Sequence, residues 1–112
     1  MSTVTADNEK EKSNVETERE IEALLVRLVK QAGGAALKFV SPGHSGVPDR
    51  IVLLPGGDVW FVELKTRTGR LSYIQRYWQG YLRLLGCNCT VLRSKAEVTM
   101  FVRSLTAGGD TV

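Results

Sequence analysis

The most restrictive feature of this sequence is a pair of apolar segments joined by a short turn. Residues 50–54 (RIVLL) and 59–65 (VWFVELK) flank the sequence PGGD at 55–58, whose residue types favour tight turns. This arrangement predicts an antiparallel β-hairpin. Because both segments are almost continuously apolar at their centres, we expect other elements to cover the hairpin on both faces.

Three helices are predicted around the hairpin. Apolar residues recur at helical spacing within residues 16–32, and Gly33 and Gly34 follow as a stop. Ser72 and Gln75 have the spacing of a capping box, which begins a second helix that ends near Leu85. A third helix is expected over residues 95–105.

Two further strands complete the predicted fold. Short apolar segments at 37–40 and 89–92 are suited to strands, and residues 41–48 form a loop rich in glycine, serine and proline. The resulting order, α-β-β-β-α-β-α, indicates an α/β fold in which helices flank a mixed sheet.

A chain of 112 residues is expected to form one domain, here residues 15–105. The polar segment 1–14 is predicted to be a disordered tail, and residues 106–112 a flexible C-terminal tail. The sequence has neither an apolar run long enough to cross a membrane nor an apolar N-terminal signal. Together with only two cysteines, this predicts a cytoplasmic protein with no membrane association.

Charge is unevenly distributed along the chain. Residues 1–22 carry a net charge of −4, whereas the other 90 residues carry +7. A basic domain of this kind attracts polyanions such as nucleic acid, although a basic surface also serves solubility alone.

Charged residues converge at one end of the predicted hairpin. Asp49 precedes the first strand, and Glu63 and Lys65 end the second, so antiparallel pairing makes the two acids neighbours. Glu63 and Lys65 project to one face, with Leu64 on the other. Two adjacent carboxylates repel each other, and Mg²⁺ relieves that repulsion. Taken singly, Asp49 is better explained as a turn residue before the strand. The alternative for Glu63 with Lys65 is an exposed strand end that carries a weak ion pair.

These residues also carry a family resemblance. GVPDR at 46–50, followed after the hairpin by ELK at 63–65, resembles the PD-(D/E)xK nuclease pattern and, more narrowly, the VRR-NUC family of small nuclease domains. The resemblance spans about residues 18–98 and matches standalone bacterial or phage members. It implies a restriction-endonuclease-like fold and Mg²⁺- or Mn²⁺-dependent cleavage of DNA.

The resemblance also implies roles for individual residues. Asp49, Glu63 and the backbone carbonyl of Leu64 are the expected metal ligands, and Lys65 is the expected catalytic lysine. The family places an acid of the first helix near the metal, for which Glu18 is our first choice.

Three of the implied roles have an ordinary structural alternative. Glu22 is the second choice for the helical acid, and for both Glu18 and Glu22 an equal explanation is that acids in a first helical turn complement the helix dipole. Gln75 matches a family position close to the active site, and its capping-box role is at least as good an explanation of the residue.

We predict DNA contacts from basic residues that lie near these motifs in the sequence: Lys38, Arg50, Arg67, Arg70 and Arg76. Together these features predict a metal-dependent DNA endonuclease that acts as a homodimer on branched, flap or Holliday-junction DNA. Two alternatives stay open: a nucleic-acid-binding module without catalysis, and a regulatory or interaction subunit built on a nuclease scaffold.

Overall fold

The computed structural model describes residues 15–106, in which three helices flank one four-stranded sheet. The elements are α1 (Glu18–Gln31), β1 (Ala35–Lys38), β2 (Arg50–Leu54), β3 (Asp58–Leu64), α2 (Tyr73–Leu84), β4 (Asn88–Leu92) and α3 (Lys95–Thr106). The predicted order α-β-β-β-α-β-α is confirmed. The predicted tail 1–14 lies outside the described residues, as does 107–112, whereas Thr106 belongs to α3.

The sheet is mixed, as predicted, with the strand order β1-β2-β3-β4. The β1–β2 and β2–β3 pairs are antiparallel, and β3 pairs with β4 in parallel. Residues 55–57 form the turn of the predicted hairpin between β2 and β3. The parallel pair is possible because α2 provides the crossover between β3 and β4.

The hydrophobic core lies between one sheet face and the helices α1 and α3. Each of these helices contributes a stripe of buried side chains, and alternate residues of β2 and β3 fill the space opposite them. The fully buried members of the core are Ile21, Leu25, Val29, Val52, Val62, Leu64 and Val98. None of the helices within residues 15–106 is long and apolar enough to span a bilayer.

The expectation that the hairpin is covered on both faces is wrong. Of the three helices, only α2 lies on the second face, and it packs mainly against β4; the loop between β1 and β2 covers part of the rest. Leu53 and Val59, near the hairpin turn, are therefore exposed, and Phe61 is half-buried. Apolar runs at strand centres do not distinguish full cover from partial cover, because that depends on where the helix after β3 lies.

The first strand begins two residues earlier than predicted, at Ala35 rather than at Leu37. Ala36 is buried where α1 crosses β1, a position that suits a small side chain. Phe39 keeps one backbone hydrogen bond, from its N–H to the Asp49 carbonyl at 2.8 Å, and Val40 is exposed. Residues 37 and 38 therefore end β1, and residues 39 and 40 begin the loop that follows it.

Gly34 is required by the close approach of β1 and β2. A Cβ atom at this position would lie 2.1 Å from the Leu53 carbonyl oxygen, whereas a Cβ at Gly80, inside α2, would meet nothing within 4 Å. We predict that Gly34→Ala destabilises the fold by about 1–3 kcal/mol through the forced backbone shift. Gly80→Ala should stabilise it by about 0.5–1 kcal/mol through helix propensity.

Urea denaturation followed by circular dichroism checks both variants. Gly80→Ala is the matched control, because it adds the same methyl group in open space. Equal midpoints for the two variants would contradict the proposed steric role of Gly34.

Candidate active site

The structure brings Asp49 and Glu63 together at the open end of the hairpin. Arg50 pairs with Val62, which places Asp49 beside the end of β3. The Asp49 Oδ2 atom accepts a hydrogen bond from the Leu64 backbone N–H at 2.8 Å. Glu63 is only 2% exposed, so one carboxyl group is buried directly beside another.

Burial and the neighbouring acid change the ionisation of Glu63. Burial raises its pKa most, a hydrogen bond with Asp49 and the charge of Asp49 raise it further, and Lys65 lowers it; the resulting pKa is about 8. In the metal-free protein, Glu63 therefore keeps its proton near neutral pH and shares it with Asp49. A site that holds a proton between two carboxylates is also suited to a cation.

Gln75 connects this acid pair to the start of α2. Its Oε1 atom accepts the backbone N–H of Ser72 at 2.8 Å, and the Ser72 hydroxyl accepts the Gln75 N–H at 3.2 Å, which completes the predicted capping box. Its Nε2 atom donates to Glu63 Oε2 at 3.2 Å. One side chain, Gln75, therefore both caps α2 and contacts the acid pair.

The two candidate acids of α1 have different surroundings. Glu22 forms a 3.3 Å ion pair with Arg50, whereas Glu18 lies close enough to Glu63 for its charge to raise the Glu63 pKa. Within residues 15–106, no three His, Cys, Asp or Glu side chains are grouped closely enough to hold a metal ion by themselves. The described side chains therefore offer a two-carboxylate centre, with Glu18 nearby rather than joined to it.

Lys65 follows the last residue of β3 and stays close to the acids. Its backbone N–H donates to the Leu92 carbonyl of β4 at 3.1 Å, which continues the parallel pairing past the strand. Its side chain is half-buried, and its positive charge lowers the pKa of Glu63. The predicted acid–acid–lysine group is therefore brought together where β2 begins and β3 ends.

The loop after Lys65 is organised by Arg93, which nothing in the local sequence marks as part of the site. The Arg93 guanidinium donates to the Thr66 carbonyl at 3.2 Å and also to the Gly69 carbonyl. The Gly69 N–H donates to the Thr66 hydroxyl at 3.1 Å. Arg93 reaches this loop because it follows β4, which runs parallel to β3, so the segments after the two strands lie side by side. The closeness of Arg93 to residues 66–69 can therefore be recognised only once the strand order is known.

The predicted DNA-contacting residues fall into two groups. Four of them are exposed: Lys38, Arg67, Arg70 and Arg76. The fifth, Arg50, has a side chain only 15% exposed, pairs with Glu22 and donates to the Ala36 carbonyl at 3.1 Å. Its guanidinium joins α1 to β1 and β2. Arg50 is therefore bound within the protein rather than presented to DNA.

The loop before Asp49 is fixed against α2. The Trp78 indole N–H donates to the Ser45 carbonyl at 3.0 Å, and the His44 ring packs edge-on against Trp78. Gly46 has a φ of +83°, and a Cβ there would lie 2.6 Å from Ile74 Cγ2. Glycine is therefore required in the GVPDR motif both for its backbone conformation and for the close approach of the helix.

The cysteines have no part in this site. Cys89 is buried in β4, its thiol lies 3.4 Å from the Gln79 carbonyl, and burial raises the pKa of that thiol. A buried thiol of raised pKa is poorly reactive, so Cys89 acts as a packed side chain of the strand.

The raised pKa of Glu63 predicts a pH dependence of stability in metal-free protein. Protonated Glu63 favours the folded state below its unfolded pKa of about 4.5, and this contribution is lost as the pH rises towards 8. Glu63→Gln keeps a neutral side chain of the same shape. We expect it to be more stable than the parent at pH 9 by about 2–4 kcal/mol, with little difference at pH 5.

Urea denaturation in EDTA across that pH range provides the measurement. Glu20→Gln is the control of opposite sign, because hydrogen bonds with Thr17 and Lys95 lower the pKa of Glu20. Glu20→Gln should lower stability by a constant amount from pH 5 to 9, and this difference should disappear only when the series is extended below pH 4.5. A constant difference between Glu63→Gln and the parent from pH 5 to 9 would contradict the ionisation assigned to Glu63.

A second prediction concerns the Arg93 contact with the loop. Replacing Arg93 by Gln removes the two bonds that hold the Thr66 and Gly69 carbonyls, so we expect faster hydrogen exchange of the Gly69 amide by about tenfold or more. Arg103→Gln, on the exposed face of α3, is the control. Unchanged exchange at Gly69 in Arg93→Gln would show that the loop is held by other contacts.

Comparisons with known proteins agree with this arrangement. Residues 6–96 match the model of the VRR-NUC domain, and this match begins inside the predicted N-terminal tail. The chain is 45% identical over 78 residues to "Putative nuclease p44" of Acyrthosiphon pisum secondary endosymbiont phage 1, covering 70% of this chain and 84% of that protein. A solved VRR-NUC domain structure superposes with a TM-score of 0.73 at 29% identity, over 77% of this chain and 94% of the other. With an acid–acid–lysine group at the motif positions and a match over most of its length, the chain belongs to the VRR-NUC family of nuclease domains.

Proposed function

We propose that this chain is a metal-dependent DNA endonuclease that hydrolyses phosphodiester bonds with Mg²⁺ or Mn²⁺. The observation that carries the proposal is the buried Glu63 carboxyl group beside the half-buried Asp49, with Lys65 next to them at the end of β3. Neither a simple binding module nor an interaction subunit has a use for two carboxylates held against each other at a cost in stability.

The donor set fits a hard divalent cation. Asp49 and Glu63 would hold it through carboxylate oxygens, with the Leu64 backbone carbonyl as a third ligand and Glu18 as an additional acid. Mg²⁺ binds through one or two carboxylates and otherwise keeps water and substrate oxygens, so a two-carboxylate centre is sufficient. When bound, the cation supplies charge stabilisation at the phosphodiester and lowers the pKa of the attacking water.

The chain's own residues would then orient the reaction. Lys65 is placed to hold the attacking water and to offset negative charge that develops on the phosphate oxygens. Water gives up a proton to solvent as its oxygen bonds to phosphorus, the bond from phosphorus to the 3′-oxygen breaks, and a proton from solvent reaches the leaving oxygen. Gln75, bonded to Glu63, keeps that carboxyl group oriented towards Asp49.

The exposed bases on this side of the molecule support DNA as the substrate. Arg67 and Arg70 lie in the loop that follows Lys65, Arg76 is exposed on the first turns of α2, and Lys38 ends β1. Contacts to phosphates position DNA without reading its sequence. We therefore propose selection by DNA shape, with branched, flap or four-way-junction DNA as the substrate class.

A homodimer is the assembly that we propose. Leu84 and Leu85, at the end of α2, are 81% and 60% exposed, and a second copy of the chain would cover such a surface. Two active sites related by a two-fold axis would suit the symmetry of a four-way junction.

Cleavage of a panel of labelled DNAs tests the function. Duplex, single-stranded, flap and four-way-junction substrates are incubated with Mg²⁺, Mn²⁺ or EDTA. We expect metal-dependent cuts by the parent, and a loss of about 100-fold or more in Glu63→Gln and Lys65→Ala, because each removes a group that acts in the transition state.

Lys30→Ala, at the exposed end of α1, is the matched control for loss of a lysine and should cleave like the parent. Metal-independent cutting, or cutting that survives in Glu63→Gln, would contradict the assigned site. DNA binding without any cleavage would favour the non-catalytic module.

A further inference from the structure

A recess of about 190 Å³ lies between α2 and the loop that joins β1 to β2. Its lining is mostly apolar and aromatic, and includes no Asp, Glu, Lys or Arg side chain. The principal lining residues are Phe39, His44, Pro48, Phe61, Trp78 and Leu82. Most of these side chains are half-buried, so the recess is an opening in the surface with apolar walls rather than part of the core.

The aromatic walls of the recess are held in place before any ligand binds. The Phe39 and Phe61 rings lie 5.7 Å apart, tilted by 59°, and the His44 and Trp78 rings lie 5.8 Å apart and almost perpendicular. Trp78 is fixed by its hydrogen bond to the Ser45 carbonyl. Rings held on a strand, a helix and a loop form a rigid set of flat apolar surfaces.

The recess and the acid pair lie on the same side of the sheet. Phe61 precedes Glu63 by two residues of β3, so both side chains leave the same face, about 6.5 Å apart along the strand. Pro48 immediately precedes Asp49, and Trp78 lies one helical turn beyond Gln75, which binds Glu63. A nucleotide whose phosphate lies at the acids would have its base, or that of a neighbour, within reach of the recess.

We propose that this recess binds an unpaired nucleobase of the DNA next to the bond that is cut. The inference rests on the proposed nuclease function and deepens it. Aromatic rings bind bases by stacking, whatever their sequence, and Lys38 is exposed next to Phe39, where it is placed to meet the adjoining phosphate.

Such a recess provides a physical basis for structure selectivity. A base inside duplex DNA must leave its stack and its pairing partner before it enters a protein pocket, which costs a few kcal/mol. A base at a branch, flap or junction avoids much of that cost. The recess would therefore favour cleavage close to unpaired nucleotides. The contacts to phosphates would be the same for paired and unpaired nucleotides.

Tryptophan fluorescence gives a direct test, because the chain has only two tryptophans. Trp60 lies on the other face of β3, edge-on to Phe101, so Trp60→Phe leaves Trp78 as the single reporter. This variant is titrated in EDTA with a short oligothymidine, with an abasic oligonucleotide of equal charge, and with a duplex. We expect oligothymidine to quench Trp78, and the abasic strand and the duplex to leave its emission nearly unchanged.

Two substitutions then test the walls by fluorescence anisotropy. Phe39→Leu and Phe61→Leu each keep an apolar side chain but remove a ring, and should weaken oligothymidine binding by about 5- to 20-fold. Affinity for the abasic strand and for the duplex should stay within about twofold. Phe101→Leu, the same change on the other sheet face, is the matched control.

Several results would overturn the inference. Equal quenching by abasic and thymidine strands would show that the bases do not reach Trp78. Equal weakening of all three ligands would give the rings a structural role only. A shift from dimer to monomer in Phe39→Leu, seen by sedimentation without any change in oligothymidine affinity, would assign the recess to a contact between copies.

The outcomes also separate this inference from the proposed function. Metal-dependent cleavage without base-dependent quenching would reject the recess alone. Failure to bind or cut any DNA would reject the nuclease proposal, and the recess inference with it.

Discussion

The hydrogen bond between the Asp49 carboxylate and the Leu64 backbone N–H is the contact on which the site depends. It closes the open end of the β2–β3 hairpin and fixes Asp49 beside Glu63, which antiparallel pairing has already brought near. This places a buried acid, Glu63, directly beside a half-buried one, Asp49, and the proton that Glu63 keeps reduces their repulsion. The rest of the fold holds that pair: β4 supports the strand end, and α2 supplies Gln75.

The two faces of the sheet differ in how they contribute to stability and to the candidate site. One face, covered by α1 and α3, contains nearly all of the fully buried apolar side chains and so most of the hydrophobic stabilisation. The other face is covered by α2 and by part of the loop between β1 and β2, and it keeps apolar rings partly open to solvent. A strained acid pair and an open aromatic recess are tolerable on the second face because the first one supplies the stability.

Local patterns in the sequence predicted what local physics decides. The hairpin follows from its turn residues, and the capping box of α2 from the spacing of Ser72 and Gln75. The acid–acid–lysine group follows from the hairpin register. What could not be predicted depends on contacts between distant segments: the start of β1 at Ala35, the partly open sheet face, and the reach of Arg93 across from β4. Periodicity describes one element at a time and carries no information on which elements become neighbours.

The side chain of Gln75 serves two structures through opposite ends of one amide. Its oxygen closes the first turn of α2, and its nitrogen bonds to the buried carboxyl group of Glu63. The position of α2 and the orientation of the Glu63 carboxyl group are thereby coupled, so a shift at the start of α2 also changes that orientation. Any substitution of Gln75 would therefore have two effects at once: it would fray the first turn of α2, and it would misorient the Glu63 carboxyl group. Kinetic measurements on such a variant report the sum of both effects. Ser72→Ala removes the hydroxyl half of the cap and leaves both bonds of the Gln75 amide in place, so it separates the two effects.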